Sequence, residues 1–152
     1  MQKRLLLIAV IVGISLLFIT AGIYAGTKVP DVIKMENKAY KKHKKSIMTF
    51  SHKKHIEDYK AGCGECHHDD KGKPLNNLKM GDNVQNCIEC HKKPGERPKG
   101  KGAPKLSKKQ RLDYHAEALH YNCKDCHKKF NKKNKTKKAP TTCTKCHPKK
   151  KK

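Results

Sequence analysis

The chain has 152 residues, of which 37 are Lys or Arg and 13 are Asp or Glu, so its formal net charge at pH 7 is +24. This length is typical of one domain, but only 35% of the residues are apolar, 5% are aromatic and none is Trp. Such a composition excludes an ordinary hydrophobic core built by the chain alone. The 8 Cys and 10 His need explanation, because a bound group could supply the missing core.

The first 25 residues have the pattern of an export element. Lys3 and Arg4 precede an uncharged run from Leu5 to Gly26 that is rich in Leu, Ile and Val. A positive start followed by such a run is typical of a secretory signal, and the run is close to the roughly 20 residues that span a bilayer. Residues 1–25 are therefore predicted to be a cleaved signal peptide or, through residues 5–24, a membrane anchor. Both alternatives place the rest of the chain in the periplasm, free or anchored to the outer face of the inner membrane.

The exported part is predicted to contain one domain with a basic extension at each end. Cys residues occur in two groups, separated by a stretch rich in Lys, Gly and Pro that is typical of a loop. The predicted segments are a Lys-rich leader at 26–48, the Cys-bearing domain at 49–147 with its loop at 92–106, and a Lys-rich tail at 148–152.

Regular secondary structure is predicted to be sparse. Ser107 is expected to cap a helix that continues to about His120, because Leu112, Ala116 and His120 recur on one i, i+4 face. The alternation that is typical of a β-strand is not found. The sequence therefore predicts short helices joined by irregular segments.

All eight Cys belong to four copies of one motif, Cys-x-x-Cys-His. This motif is the attachment signal for a c-type haem. Two Cys one helical turn apart can form thioethers to the two vinyl groups at one edge of the porphyrin, and the His that follows can ligate the iron. The sequence thus predicts four haem c groups attached through Cys63 and Cys66, Cys87 and Cys90, Cys123 and Cys126, and Cys143 and Cys146, with His67, His91, His127 and His147 on the irons.

Other uses of paired Cys fit the motif less well. A Cys₄ zinc site does not need His directly after every pair, and neither does a disulfide scaffold. A thioredoxin-like dithiol needs a βαβ context, which the sequence does not show. Haem attachment is therefore favoured, and a structural zinc protein stays as the alternative.

Six His lie outside the motifs, and each of four irons needs a second axial ligand. After Met1, the other Met residues are Met35, Met48 and Met80, and none of them is near a motif. His is therefore favoured over Met as the second ligand. The six candidates are His43, His52, His55, His68, His115 and His120.

The region around the first motif resembles the tetrahaem cytochrome c3 (class III) family. Phe50-Ser-His52-Lys-Lys-His55 is followed by Cys63-Gly-Glu-Cys66-His67-His68, and the resemblance covers roughly residues 49–147. The family fold that it implies is mostly irregular with a few short α-helices, wrapped around the haems. The axial pairs that it implies are His52 with His67, His68 with His91, His55 with His127, and His120 with His147.

Two features depart from the family pattern. The stretch from Tyr114 to His120 differs from the family's Tyr-His-x-x-His-like spacing, so His115 is an alternative to His120 as a ligand. Many members also have a longer Cys–Cys spacing at the second or fourth motif, whereas all four copies here have two intervening residues. These departures concern the subfamily and the partner rather than the number of haems.

Bis-His iron is six-coordinate and offers no open position, so an electron-transfer protein is predicted rather than an enzyme. His/His ligation also gives a lower potential than Met/His ligation. The predicted function is a low-potential periplasmic electron carrier. The alternatives are a membrane-anchored tetrahaem quinol dehydrogenase, if residues 5–24 stay attached, and a cytochrome that reduces metal ions.

The basic composition predicts an acidic redox partner. In the resembled family, such partners are a periplasmic hydrogenase or membrane-bound cytochrome complexes. Nucleic acid is not expected, since only three of the 37 basic residues are Arg and the chain is exported. The competing explanation is that Lys mainly keeps a haem-packed protein soluble.

Overall fold

The computed structural model describes residues 29–149. The predicted export element at 1–25 and the end of the predicted tail lie outside the described residues. Within the described residues, Pro30–Met80 and residues 84–149 belong to one compact unit, which holds all the elements named below. Within residues 29–149, no helix is long and apolar enough to cross a membrane.

Irregular segments dominate the described chain, as the sequence predicts. One antiparallel pair of two-residue strands joins Ile33 to Phe50 and Lys34 to Thr49. These strands are too short to produce an alternating pattern, so the sequence did not reveal them. In chain order the elements are β1 (Ile33–Lys34), β2 (Thr49–Phe50), α1 (His52–Glu57), a 3₁₀ turn (Cys63–Glu65), α2 (Cys87–Cys90), α3 (Lys108–Leu112), α4 (His115–Lys133) and α5 (Cys143–Cys146).

The helix predicted from Ser107 to about His120 is two helices. Ser107 does cap α3: its side chain accepts a hydrogen bond from the Gln110 N–H, and the Gln110 side chain accepts one from the Ser107 N–H. The helical path is interrupted before α4, where Tyr114 is extended. The cause is a bridge to the loop, since the Lys93 N–H donates to the Asp113 carbonyl at 2.9 Å and the His115 N–H donates to the Lys93 carbonyl at 2.8 Å.

Residues 29–48, which the sequence set apart as part of a leader, make contacts with distant parts of the chain. Beyond β1, the Met35 N–H donates to the Met48 carbonyl at 2.9 Å. The Tyr40 hydroxyl is hydrogen-bonded to Nδ1 of His115 at 2.8 Å, and the Ser46 carbonyl accepts from Nδ1 of His147 at 2.8 Å. This segment therefore helps to position residues near the third and fourth motifs.

The described chain buries very few of its own side chains. His115 is 6% exposed and Ala118 is 8% exposed, and no side chain in residues 29–149 falls below 2%. Large apolar side chains are left in contact with solvent, among them Tyr59, which is 58% exposed, and Phe130, which is 41% exposed. The polypeptide by itself thus lacks the packed interior of an ordinary domain, in agreement with its composition.

Candidate haem-binding site

Each Cys-x-x-Cys-His motif is folded as about one helical turn. In the first, second and fourth motifs, the His N–H donates to the carbonyl of the first Cys at 2.9, 2.9 and 2.7 Å, respectively. The third motif lies inside α4. This i, i+4 turn brings the first Cys and the His to one side of the backbone, the arrangement that attachment at one porphyrin edge requires.

Local sequence explains why these short turns form. In α2, the Asn86 side chain accepts a hydrogen bond from the Ile88 N–H, and the Glu89 side chain accepts one from the Asn86 N–H. Such a capping box satisfies N–H groups that a one-turn helix cannot satisfy itself. In the first motif, Gly64 leaves room for Asn76, because a Cβ at this position would collide with it.

None of the eight Cys is paired in a disulfide. Burial raises the pKa of the Cys66 thiol, and its neighbours Cys126 and Cys87 raise it further. Burial likewise raises the pKa of Cys123 to about 11, with Cys66 and Cys87 again adding to the effect. Thiols of the first three motifs therefore lie close to one another. Within residues 29–149, no group of three or more His, Cys, Asp or Glu residues is arranged to hold a metal ion.

Three pairs of His rings lie close together with their planes inclined at 23°, 69° and 90°, and each pair joins one motif His to one His outside the motifs. They correspond to three of the four pairs that the resemblance implies. The ring centres are 6.1 Å apart for His55 and His127, 5.9 Å apart for His68 and His91, and 6.3 Å apart for His120 and His147.

These spacings fit a metal ion between the rings. A metal–imidazole bond is about 2.0 Å long, and the ligating nitrogen lies about 1.1 Å from the ring centre, so two ligands on opposite sides of one ion have ring centres about 6.2 Å apart. The three observed distances span 5.9 to 6.3 Å. The residues present therefore fit an axially ligated haem iron.

The fourth implied pair, His52 and His67, is close enough to interact electrostatically. The pKa of His67 is lowered mainly by burial, and then by the neighbouring His52 and His68. His52 and His55 are three residues apart on α1, so they lie on one face of this helix. The Phe50 ring lies beside both of them, with ring centres 5.8 Å from His52 and 4.5 Å from His55.

Hydrogen bonds fix the orientation of five of the eight proposed axial rings. In each case Nδ1 faces a backbone carbonyl, which can only accept, so Nδ1 carries the proton and Nε2 keeps its lone pair for a metal. The five bonds join His55 to Ser51 at 2.8 Å, His68 to Asp69 at 2.7 Å, His91 to Leu112 at 2.6 Å, His127 to Pro140 at 2.7 Å and His147 to Ser46 at 2.8 Å.

The remaining two His, His43 and His115, belong to a different cluster. The Tyr40 ring stacks on His43 with ring centres 4.7 Å apart, while its hydroxyl bonds to Nδ1 of His115. Burial, followed by the neighbouring His91 and His43, lowers the pKa of His115. The ring whose centre lies 6.3 Å from that of His147 is the ring of His120, whereas His115 is hydrogen-bonded to Tyr40.

A comparison with known protein families identifies the family of the chain. The model of the Class III cytochrome C family matches residues 29–147, which is more than three quarters of the chain. The match includes residues 29–48, whose contacts reach His115 at the start of α4 and His147 of the fourth motif. No curated protein and no solved structure matches the chain. The chain therefore belongs to the class III cytochrome c family, whose members carry covalently bound haem c and transfer electrons.

Proposed function

We propose that this cytochrome is a low-potential periplasmic electron carrier with four haem c groups. The observation that carries the proposal is that three motif His rings each lie next to a His ring from outside the motifs, with ring centres 5.9 to 6.3 Å apart. When bound, each haem supplies a one-electron couple whose potential is lowered by His/His ligation. With two His ligands from the chain for each iron, a bound haem would have no coordination position left for a substrate, which favours a carrier over an enzyme.

Shared backbone elements support close spacing of the four sites. Helix α4 carries His120 of the fourth site together with Cys123, Cys126 and His127 of the third. Helix α1 carries ligands of the first and third sites, and the adjacent residues His67 and His68 serve the first and second. A domain of this length has a radius of gyration of about 14 Å, so electrons would move between neighbouring sites over short distances.

The partner that we propose is an acidic redox protein, such as a hydrogenase or a membrane-bound cytochrome complex. After residue 25, 35 basic and 13 acidic side chains remain, a balance of +22. Eight haem propionates would reduce it to about +14, which is still enough for electrostatic steering. Exposed Lys124 lies next to Cys123, and exposed Lys145 lies within α5, so positive charge flanks the third and fourth sites.

Electron transfer from an acidic one-electron donor protein is therefore expected to be fast at low salt and to slow steeply between about 10 and 150 mM ionic strength, where the screening length falls from roughly 30 Å to 8 Å. Stopped-flow mixing with the holoprotein measures this rate. Replacing Lys124, Lys145 and Lys149 by Gln should weaken the salt dependence more than the matched replacement of Lys38, Lys41 and Lys42.

A neutral small-molecule reductant provides the control, since its rate should not respond to ionic strength. A docking role of the Lys surface would be contradicted if the electron-transfer rate with the donor protein changed neither with salt nor with either set of substitutions. Solubility would then be the better explanation of the Lys content.

A further inference from the structure

We propose that Glu96 is a positioning residue that lowers the redox potential of the fourth haem site through His120. The inference rests on the proposed haem ligation, and Glu96 is neither an attachment Cys nor an axial His. The axial His residues differ in the group that their Nδ1 atoms approach. Five of them direct Nδ1 at a neutral backbone carbonyl, whereas Nδ1 of His120 faces the carboxylate of Glu96 at 3.7 Å. This distance is longer than a hydrogen bond.

The carboxylate is held by a cation on its other side. Oε2 of Glu96 lies 2.9 Å from the Lys99 ammonium, and Oε1 is the oxygen that faces His120. Lys99 is in turn 3.8 Å from Oε1 of Glu117, which also lies 3.8 Å from Nε of Arg97. A Glu side chain is ordinarily ionised at neutral pH, and the Lys99 ammonium at 2.9 Å stabilises that charged form.

Backbone hydrogen bonds also fix the loop that carries Glu96. The Lys93 carbonyl accepts from the His115 N–H at 2.8 Å, and the Gly95 carbonyl accepts from the Ala116 N–H at 3.0 Å. Both donors belong to the first turn of α4, the helix that carries His120. The loop and the ligand are thus tied to one rigid element, which keeps the carboxylate beside the ring.

The full negative charge of Glu96 beside His120 affects the balance between the ferric and ferrous states at the fourth site. At 3.7 Å from the ring, the carboxylate acts through its charge rather than through a hydrogen bond. The negative charge favours the ferric state over the ferrous state, because the ferric state is the more positive of the two. The carbonyl partners of His55, His68, His91 and His127 carry only a dipole, so Glu96 distinguishes the fourth site from the second and third sites.

The test is a spectroelectrochemical titration of the holoprotein with Glu96→Gln, which keeps the shape and removes the charge. One of the four haems should move about tenfold toward the ferrous state at a fixed potential, equivalent to about 59 mV for a one-electron couple. The other three should move much less. Paramagnetic NMR of the axial ring protons should assign the shifted haem to His120. Asp125→Asn, a neutralisation in the same helix, should leave this haem unshifted.

Lys99→Gln separates an electrostatic role from a structural one. It removes a positive charge beside the same carboxylate, so the potential of the same haem should fall, opposite to the effect of Glu96→Gln. Equal direction in both variants, or an unchanged potential in Glu96→Gln, would overturn the proposal. A wild-type protein without four low-spin haems would instead contradict the proposed function, so the two failures can be told apart.

Discussion

A chain produced without haem is expected to show no cooperative thermal unfolding. The reason is how little of the polypeptide is buried: among the described residues, His115 and Ala118 are the buried ones, and no side chain is less than 2% exposed. Cooperative unfolding requires a packed interior whose exposure has a large enthalpy, about 0.7 kcal/mol per residue near 60 °C. The measurement is calorimetry on a variant with all eight Cys replaced by Ser, beside the holoprotein.

The holoprotein provides the control and should give one sharp transition, because the haem faces would supply the apolar surface that the chain lacks. Tyr59 and Phe130 are exposed side chains that bound haem would cover. The Tyr59 ring centre lies 5.6 Å from that of His55, and Phe130 follows the third motif by three residues. A cooperative transition of ordinary enthalpy in the Cys-free variant would show that the polypeptide has a core of its own.

Replacing His120 by Gly is expected to convert one haem of the four from low spin to high spin. The substitution removes the ring that faces His147 at 6.3 Å, so one iron would lose its sixth ligand. Electron paramagnetic resonance of the oxidised protein should detect the high-spin signal, and added imidazole should abolish it by filling the open position. The effect is large because the loss of one axial imidazole changes the spin state of the iron.

Replacing His115 by Gly is the matched control. It should leave all four haems low-spin, because His115 is bonded to the Tyr40 hydroxyl at 2.8 Å. It should still lower the melting temperature, since removing this partner leaves a polar group of Tyr40 in a partly buried place at a cost of about 1 to 3 kcal/mol. A high-spin haem in the His115 variant and none in the His120 variant would reverse the ligand assignment.

Much of the site could be predicted because its signal is local. The five residues of each Cys-x-x-Cys-His motif fold within about one turn, so neighbours in sequence are neighbours in space. The cap formed by Ser107 is equally local and is confirmed by the structure. The scarcity of regular structure followed from composition, because a Lys-rich chain has few apolar faces to pair.

Non-local features explain what the sequence did not reveal. The break between α3 and α4 depends on the bridge to Lys93, which lies about 20 positions earlier in the chain. The segment at 26–48 was predicted to be a leader because it is rich in Lys. This composition gives no sign of the contacts that Tyr40 and Ser46 make with His115 and His147. The opposing His rings come from positions as distant as 55 and 127, so spacing alone could not pair them. The family resemblance supplied that pairing.

Glu96 illustrates the same limit at one residue. It lies in a segment that looks like a simple loop of Lys, Gly and Pro. Its position beside His120 arises from the two backbone hydrogen bonds that fix the loop to the first turn of α4. A pattern of residue types does not contain this information, because the bonds use main-chain atoms that every sequence provides.

The mass of the intact protein tests the central claim most directly. Each haem joined through two thioethers adds about 0.6 kDa, so four should place the denatured protein roughly 2.5 kDa above its polypeptide mass. The increment should survive denaturation and acidified organic solvent, because the bonds are covalent. A protein with the bare polypeptide mass and stoichiometric zinc would contradict the account.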